Sequence, residues 1–320
     1  MKTPITVVIP NFNGAKLLKK NLPSVQKAAS FYSSNTIIIV VDDGSKDESI
    51  DVLKTEFPNI KIVIHPINKG FADAVYSGIA AAETELIMLL NSDVNVQEDL
   101  LEGLMPYFDS LDTFSVNPLI NDENGQVKRH SWNLRQFKRG SLKLLDWSLN
   151  EAVNIKNSGK LLPTLYGHGG SMMLRKSMFE ALNGFHPIYK PFYSEDYDLG
   201  IRAWRRGWCS YFEPNISIVH QSVGSIREHV KMQHVKCIRR RNRYLLEWIH
   251  LTPTQIMLSA FPLSIFQLLG ELLIFDKTNV KGFLLALSEI PQVLKARAEI
   301  IKTQKLSLNE VLNKVNKVNI

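Results

Sequence analysis

The first hundred residues repeat one pattern that leaves few folds open. Short runs of β-branched and apolar residues, Ile5 to Pro10, Thr36 to Val41, Lys61 to Ile64 and Leu86 to Leu90, alternate with stretches of helical period. Runs this short and apolar read as strands buried on both faces. Between them, Ala15 to Ala29 sets Leu17, Leu18, Leu22, Val25 and Ala28 on one helical face despite Pro23. Asp47 to Phe57 reads as a short helix and Gly70 to Ala82 as a small-residue one. This alternation predicts an α/β fold, with a sheet that is parallel over this part and helices on both faces. Such sheets bind ligands beyond the carboxyl ends of their strands. Polar turns follow three of the strands: NFNG the first, DDGS the second and NSD the fourth. All three are expected along one edge.

Beyond Gln97 the rhythm loosens. Leu100 to Phe108 reads as a helix, Phe114 to Leu119 as a strand and Asn121 to Gly125 as a turn. His130 to Pro163 has no clear period. Thr164 to Leu174, with its GHGG, is expected to return to the sheet. Glu195 to Arg206 reads as a helix closed by Gly207, and Ser210 to Val219 as a strand ending at His220. From Glu228 onward the chain reads as helical, first basic and then apolar.

At 320 residues, 45% hydrophobic and 22% charged, the chain can hold one large domain with an appendage. Its net charge of +7 gathers at Arg202 to Arg206 and Arg227 to Arg243, a basic surface suited to phosphate, anionic lipid or nucleic acid. No nucleic-acid recognition motif accompanies it, so nucleic acid is not an expected partner. The two cysteines, Cys209 and Cys237, lack metal-ligand spacing and fit a reducing cytosol. The N-terminus, MKTPITVVIP, enters a strand without the apolar stretch of a signal peptide. A cytoplasmic location is therefore expected.

The strand-end carboxylates Asp42, Asp43 and Asp93 are the first candidates for chemistry. DDGS alone is equally a turn with a helix cap. Carboxylates at two strand ends of one sheet fit a nucleotide site beside a metal site, since carboxylate, phosphate oxygens and water are the usual surroundings of Mg²⁺ or Mn²⁺.

The chain resembles the family-2 glycosyltransferases, inverting enzymes of the GT-A fold, and within them the rhamnosyltransferase-like, cell-surface-polysaccharide branch. VVIPNFNG (Val7 to Gly14), VVDDGSKDES (Val40 to Ser49), NKGFADAVYSGI (Asn68 to Ile79) and LLNSDV (Leu89 to Val94) carry the match. GGSMMLRKSMFEALNGF (Gly169 to Phe185) and EDYDLGIRAWRRGW (Glu195 to Trp208) continue it in order. The resemblance implies a mixed sheet flanked by helices, with a catalytic domain over 1–226. Its nucleotide-sugar half would be about 1–96 and its acceptor half about 97–226, followed by a helical extension over 227–320.

The resemblance also assigns roles. Asp42 and Asp43 would hold the base and ribose of a nucleoside-diphosphate-sugar (UDP-, dTDP- or GDP-linked). Pro10, Phe12 and Asn13 would line that pocket, with Asn68, Lys69 and Gly70 beside it. Asn91-Ser92-Asp93 would stand for the DxD motif, with Asp93 on the metal and Asn91 hydrogen-bonding without charge. Gly169 and Gly170 would let the chain pass close to donor and acceptor. The Glu195-Asp196 pair would contain the catalytic base, Asp196 by preference, although an acidic first turn also complements a helix dipole. Asp198 is expected to cap or pack. His220 would complete the metal site, unless it only packs. Arg202, on one face with Arg205 and Arg206, would help neutralise the diphosphate.

Lys231 to His250 is basic and carries Tyr244 and Trp248, and Leu251 to Gly270 has no formal charge over twenty residues. Pro253, Pro262 and scattered polar residues argue against a spanning helix. They favour an interfacial helix or hairpin at the inner face of the plasma membrane, serving a glycan or lipid-linked acceptor. Internal packing or a second subunit is the other reading of that segment. For the whole chain the alternative is a non-catalytic nucleotide-sugar-binding or scaffold protein.

Overall fold

The computed structural model describes residues 2–221, 231–273 and 277–317. The expected helix start at Glu228, the basic Arg227 and the division at residue 226 lie outside the described residues.

A nine-stranded mixed sheet forms the centre. Its strands are β1 (Ile5–Asn11), β2 (Ile37–Asp42), β3 (Lys61–Ile64), β4 (Leu86–Leu90), β5 (Val94–Val96) and β6 (Thr113–Asn121), then β9 (Leu162–Pro163), β10 (Ser171–Arg175) and β11 (Cys209–His220). They run in the order β3-β2-β1-β4-β10-β6-β11-β5, with β9 alongside β11. The β3-β2-β1-β4 block is parallel, as the alternation predicts. β10 then enters antiparallel between β4 and β6.

Side chains alternate across this sheet with period two. Ile5, Val7 and Ile9 join a core with Leu18, Leu22 and Val25 of α1 (Ala15–Tyr32) and Leu53 of α2 (Ser49–Glu56). Val8, Ile39 and Val41 face the other side, against Ala74, Val75 and Ile79 of α3 (Phe71–Ala80). Full burial of each aliphatic side chain contributes roughly 1.5–3 kcal/mol, so residues alternate between two cores rather than between core and solvent. Gly78 lets α3 lie this close, because a Cβ there would stand 2.3 Å from Val8 Cγ1.

Two local expectations are refined. Leu100 to Phe108 splits into α4 (Leu100–Leu104) and a 3₁₀ turn, Met105–Asp109, with Pro106 in its first turn. The patternless His130 to Pro163 contains a hairpin, β7 (Arg135–Lys138) and β8 (Ser141–Leu144), and α5 (Leu149–Asn157). Arg139 and Gly140 turn that hairpin with φ of 52° and 80°, the left-handed pair a tight two-residue turn requires. α6 (Lys176–Ala181) and α7 (Glu195–Arg205) follow, and Gly207 closes α7 with φ 89°.

The C-terminal helices, Met232–His250, Pro253–Leu273, Lys277–Leu287, Ile290–Thr303 and Leu308–Asn316, share one apolar cluster with the second half of the sheet domain. Tyr244, Leu245, Val293 and Val311 pack in it with Trp132, Leu165, Tyr197 and Phe212. The helical extension is thus joined to the sheet domain by a continuous core.

Candidate active site

The carboxyl ends of β1, β2 and β4 open into a cleft of about 780 Å³. Pro10, Phe12, Asp43, Asn68, Gly70, Asn91, Ser92, Asp93, Gly169, Gly170, Glu195, Asp196 and His220 all line it. Residues spread over two hundred positions meet because the sheet collects its polar turns on one edge.

Asp43 is held rigidly. Its Oδ1 accepts from the backbone N–H of Lys69 at 2.9 Å and meets His65 Nδ1 at 2.6 Å, and its Oδ2 accepts from the Gly70 N–H at 2.8 Å. His65 Nε2 in turn meets Ser77 Oγ at 2.8 Å. Lys69 therefore contributes through its backbone. Sequence reasoning passed over His65, although it follows the carboxyl end of β3 as the candidate turns follow theirs.

Asp42 and Asn13 brace the turns. Asp42, fully buried, accepts from Asn11 Nδ2 at 3.1 Å and the Ser45 N–H at 3.0 Å. Asn13, at φ 50°, accepts from the Lys46 N–H at 2.8 Å and donates its own N–H to Ser45 Oγ at 2.8 Å. These bonds tie NFNG to DDGS, and neither Asn13 nor Asp42 lines the cleft.

The Asn91-Ser92-Asp93 turn is fixed from behind by Asn21, whose Nδ2 donates to Ser92 O at 2.9 Å. The Asn91 N–H donates to Gly170 O at 2.9 Å, and a Cβ on Gly170 would fall 2.4 Å from Asn91 Nδ2. Glycine is required there for the two chains to touch. His220 Nε2 stands 3.2 Å from Asp93 Oδ1. The approach lacks hydrogen-bond alignment, so Asp93 Oδ1 is buried without a hydrogen-bond partner.

Two further histidines, His130 and His168, line the cleft beside His220. His168 stacks on His130 at 5.0 Å between ring centroids and sits edge-on to His220 at 5.4 Å. Burial pushes His130 down to about 4 and His168 well below the ordinary histidine range, with the neighbouring imidazoles adding to both shifts. Both are neutral at pH 7. His168 stands inside the GHGG, the one signal that could have marked it. His130 comes from the patternless stretch.

Glu195 and Asp196 open α7 after two non-glycine residues in left-handed conformation, Tyr193 at φ 73° and Ser194 at φ 72°. Such backbone costs on the order of 1–3 kcal/mol per residue and persists only where its surroundings enforce it. Asn242, fully buried on the basic helix Met232–His250, supplies that enforcement. Its two Nδ2 hydrogens are shared among the carbonyls of Tyr189, Phe192 and Tyr193, all at 2.8–2.9 Å.

Asp196 accepts from the Gly169 N–H at 3.1 Å and the Tyr197 N–H at 2.8 Å, while Glu195 Oε2 is buried and unpaired. Burial, followed by the charge of Asp196, lifts Glu195 to about 8. Burial also raises Asp196, with those two N–H groups and Arg135 opposing it. The result is a carboxylate pair of which one member carries the proton near neutrality, an arrangement suited to proton transfer.

Asp198 packs, as expected. It bonds Arg202 Nε at 2.6 Å, His250 Nε2 at 2.9 Å and Tyr189 OH at 3.2 Å. Arg202 corrects the expectation made for it. Its other nitrogens donate to Leu182 O at 2.7 Å and Gly184 O at 2.8 Å, and it does not line the cleft. Helical spacing says which residues share a face with Arg202, not which face meets the cleft.

A mixed sheet with an NSD turn at a strand end, a clamped Asp43 beside it and an acidic pair across the cleft defines a GT-A protein, and solved structures agree on the fold. GalNAc-T7, crystallised with UDP, GalNAc and Mn²⁺, superposes with a TM-score of 0.60 at 16% identity over 78% of this chain. The chain spans about half of that protein, 48%. The mannosyltransferase PcManGT from Pyrobaculum calidifontis, in complex with GDP-Man and Mn²⁺, superposes at 0.53 with 13% identity, covering 98% of this chain and 79% of that one. The chain belongs to glycosyl transferase family 2, whose sequence model matches residues 6–182. Among its relatives is the N-acetylglucosaminyl-diphospho-decaprenol L-rhamnosyltransferase of Mycobacterium tuberculosis, 24% identical over 70% of this chain and 78% of the relative.

Proposed function

We propose that this glycosyltransferase is inverting and metal-dependent. It would move a sugar from a nucleoside-diphosphate-sugar to a hydroxyl of a glycan or lipid-linked acceptor, in the synthesis of cell-surface polysaccharide or glycolipid. One observation carries the reading: Asn91 Oδ1, Asp93 Oδ1 and Glu195 Oε2 are buried without hydrogen-bond partners, and all three residues line the same cleft. Buried polar atoms left without a hydrogen bond cost roughly 1–3 kcal/mol each, so the cleft is built to be completed by a ligand. The M. tuberculosis relative, by its name, acts on a diphospho-decaprenol acceptor, which favours a lipid-linked one here.

Asp93 and His220 fit a Mg²⁺ or Mn²⁺ ion. Neighbouring ligands on an octahedral ion with bonds of about 2.1 Å stand about 3.0 Å apart, close to the 3.2 Å between Asp93 Oδ1 and His220 Nε2. No group of three His, Cys, Asp or Glu side chains is placed to hold a metal among the described residues, so diphosphate oxygens and water would fill the remaining positions. When bound, the ion supplies neutralisation of the diphosphate's charge.

Asp196 takes the acceptor's hydroxyl proton as that oxygen bonds to the anomeric carbon from the face opposite the diphosphate. The bond from that carbon to the diphosphate oxygen breaks, and its electron pair leaves with the nucleoside diphosphate. The Gly169 and Tyr197 N–H groups orient the Asp196 carboxylate, and protonated Glu195 can donate a hydrogen bond to substrate. Asp43, clamped by His65, Lys69 and Gly70, presents a fixed acceptor edge to the nucleoside.

A panel of nucleotide-sugars, with Mn²⁺ or EDTA, tests this reading by thermal stabilisation and slow donor hydrolysis. At least one donor stabilises the protein in Mn²⁺ and not in EDTA. Silence towards every donor overturns the reading in favour of a non-catalytic scaffold.

The same reading puts the protein at the cytoplasmic face of a membrane. Pro253–Leu273 is 21 residues long and apolar enough to cross a bilayer. Its exposed side chains include Met257 at 71%, Phe266 at 76% and Leu273 at 81%. Because Arg240 pairs with Glu271 and Arg243 bonds Gln267, this helix lies along the basic helix, whose Arg239 lines the cleft. Apolar residues dipped into anionic lipid with cations beside them describe interfacial attachment. Co-sedimentation with phosphatidylglycerol vesicles, weakened in Phe266→Ser/Leu273→Ser, supports it. Concentration-dependent dimerisation without vesicle binding replaces it.

A further inference from the structure

A second hollow, of about 630 Å³, lies between α7 and the helix Ile290–Thr303, and it shares no lining residue with the cleft. Arg202 and Asp198 line it, but they are spent on one another. Apart from that pair, Arg205, Arg206, Lys295 and Lys302 face a single carboxylate, Glu299. Lys295, Glu299 and Lys302 follow at i, i+4 and i+7, the spacing of one helical face. Glu299 makes no ion pair among the described residues.

Arg205 is the unusual member. It is 8% exposed, yet its Nε is buried without a partner, and Nη2 donates to the Gln304 side chain, a neutral amide. Burial, followed by the charge of Arg297, pulls Arg205 down to about 10, so it remains charged at neutral pH. A guanidinium taken out of water without a carboxylate is costly. Among the described residues no carboxylate forms an ion pair with Arg205. Asp198, the buried carboxylate of the hollow, is already bonded by Arg202, His250 and Tyr189.

We propose that this hollow is a second binding site, for a phosphate-class anion, a phosphate monoester or a diphosphate, carried by a soluble metabolite or by a lipid headgroup. The forked donors of arginine match phosphate oxygens, and lysines at the mouth add charge without fixed geometry. The volume suits a small phosphorylated molecule. Glu299 limits the charge the site accepts and disfavours long polyanions. The site meets the donor cleft through α7, which carries Glu195 and Asp196 at its first turn and Arg202 and Arg205 at its last.

Calorimetric titration of inorganic pyrophosphate into the full chain tests this, with Asp93→Ala and EDTA silencing the donor cleft. The expected result is saturable binding of one pyrophosphate per chain. It weakens at least tenfold when Lys295→Gln/Lys302→Gln is added, two exposed changes that leave the melting temperature unchanged. Arg205→Gln is expected to abolish it, and should that variant fold poorly the lysine pair decides alone. No saturable binding, or equal binding by the lysine variant, overturns the proposal and leaves a hydrated hollow. Competition then assigns the source. Displacement by phosphatidylcholine vesicles containing phosphatidate, and not by phosphatidylcholine alone, supports the site with a lipid ligand. Pyrophosphate binding that neither vesicle disturbs supports it with a soluble one. Binding is read without sugar transfer, so its failure leaves the proposed activity untouched.

Discussion

His220 Nε2 and Asp93 Oδ1 stand 3.2 Å apart because β5 and β11 pair antiparallel, with His220 opposite Val94. The strand that starts just after the NSD turn is thus the one that brings the histidine to it. A carboxylate and an imidazole nitrogen set this way are competent ligands for one divalent ion. Asp93→Ala is expected to abolish Mn²⁺-dependent donor binding in calorimetry. His220→Gln should raise the Mn²⁺ concentration for half-maximal activity by at least the roughly 10–100-fold seen when a partner behind a metal ligand is removed. Unchanged Mn²⁺ dependence in both variants would remove these residues from the proposed metal site.

The acidic pair gives a pH signature. A base must be ionised, and Asp196 lies above the ordinary aspartate range. Activity should therefore fall on acidification at a higher pH than a solvated aspartate would give. Glu195, at about 8, adds a second ionisation on the alkaline side. The pair titrates as a unit, so the profile reports both groups. In Glu195→Gln the kcat/KM profile is expected to lose the ionisation near 8 and keep the acidic limb. Loss of the acidic limb instead would exchange the roles of the two carboxylates.

Arg202 should act on stability. Its removal leaves Asp198, a carboxylate only 1% exposed, without its guanidinium partner and bonded by His250 and Tyr189 alone, and breaking a buried pair typically costs about 3–5 kcal/mol. Arg202→Gln is expected to lower the urea midpoint sharply while leaving the donor KM of the folded fraction unchanged. Arg202 and His250 hold Asp198 well below its usual pKa against the opposing effect of burial. A depressed carboxylate stabilises above its unfolded pKa, about 3.9, and that contribution is lost as pH falls towards the folded value. The pair's share of stability is thus complete at neutral pH and disappears only in strong acid. A donor KM raised without loss of stability would return Arg202 to the diphosphate.

The parallel block was legible because β-branched runs and helical periods alternate without interruption up to Leu90, and the side-chain period of two then settles both cores. The strand-end turns were legible for the same reason. What the turns do was less so: Asp42 and Asp43 are adjacent, yet opposite pleats send one to brace NFNG and the other to the cleft. Strand pairing beyond Gln97 depends on contacts distant in sequence, such as β10 between β4 and β6, and local pattern does not encode them. His130 and Asn242 reach the site through such contacts. Neither stands in a motif, and Asn242 acts through three carbonyls of a loop about fifty residues away in sequence.

The central claim is that Asp196 deprotonates the acceptor, and the most direct measurement is single-turnover transfer by Asp196→Asn beside donor binding by calorimetry. The substitution keeps shape and removes the base, whose contribution is typically on the order of 10²–10⁴-fold. The account predicts donor affinity within about twofold of wild type and a loss of transfer in that range. Transfer at the wild-type rate with intact donor binding would contradict it.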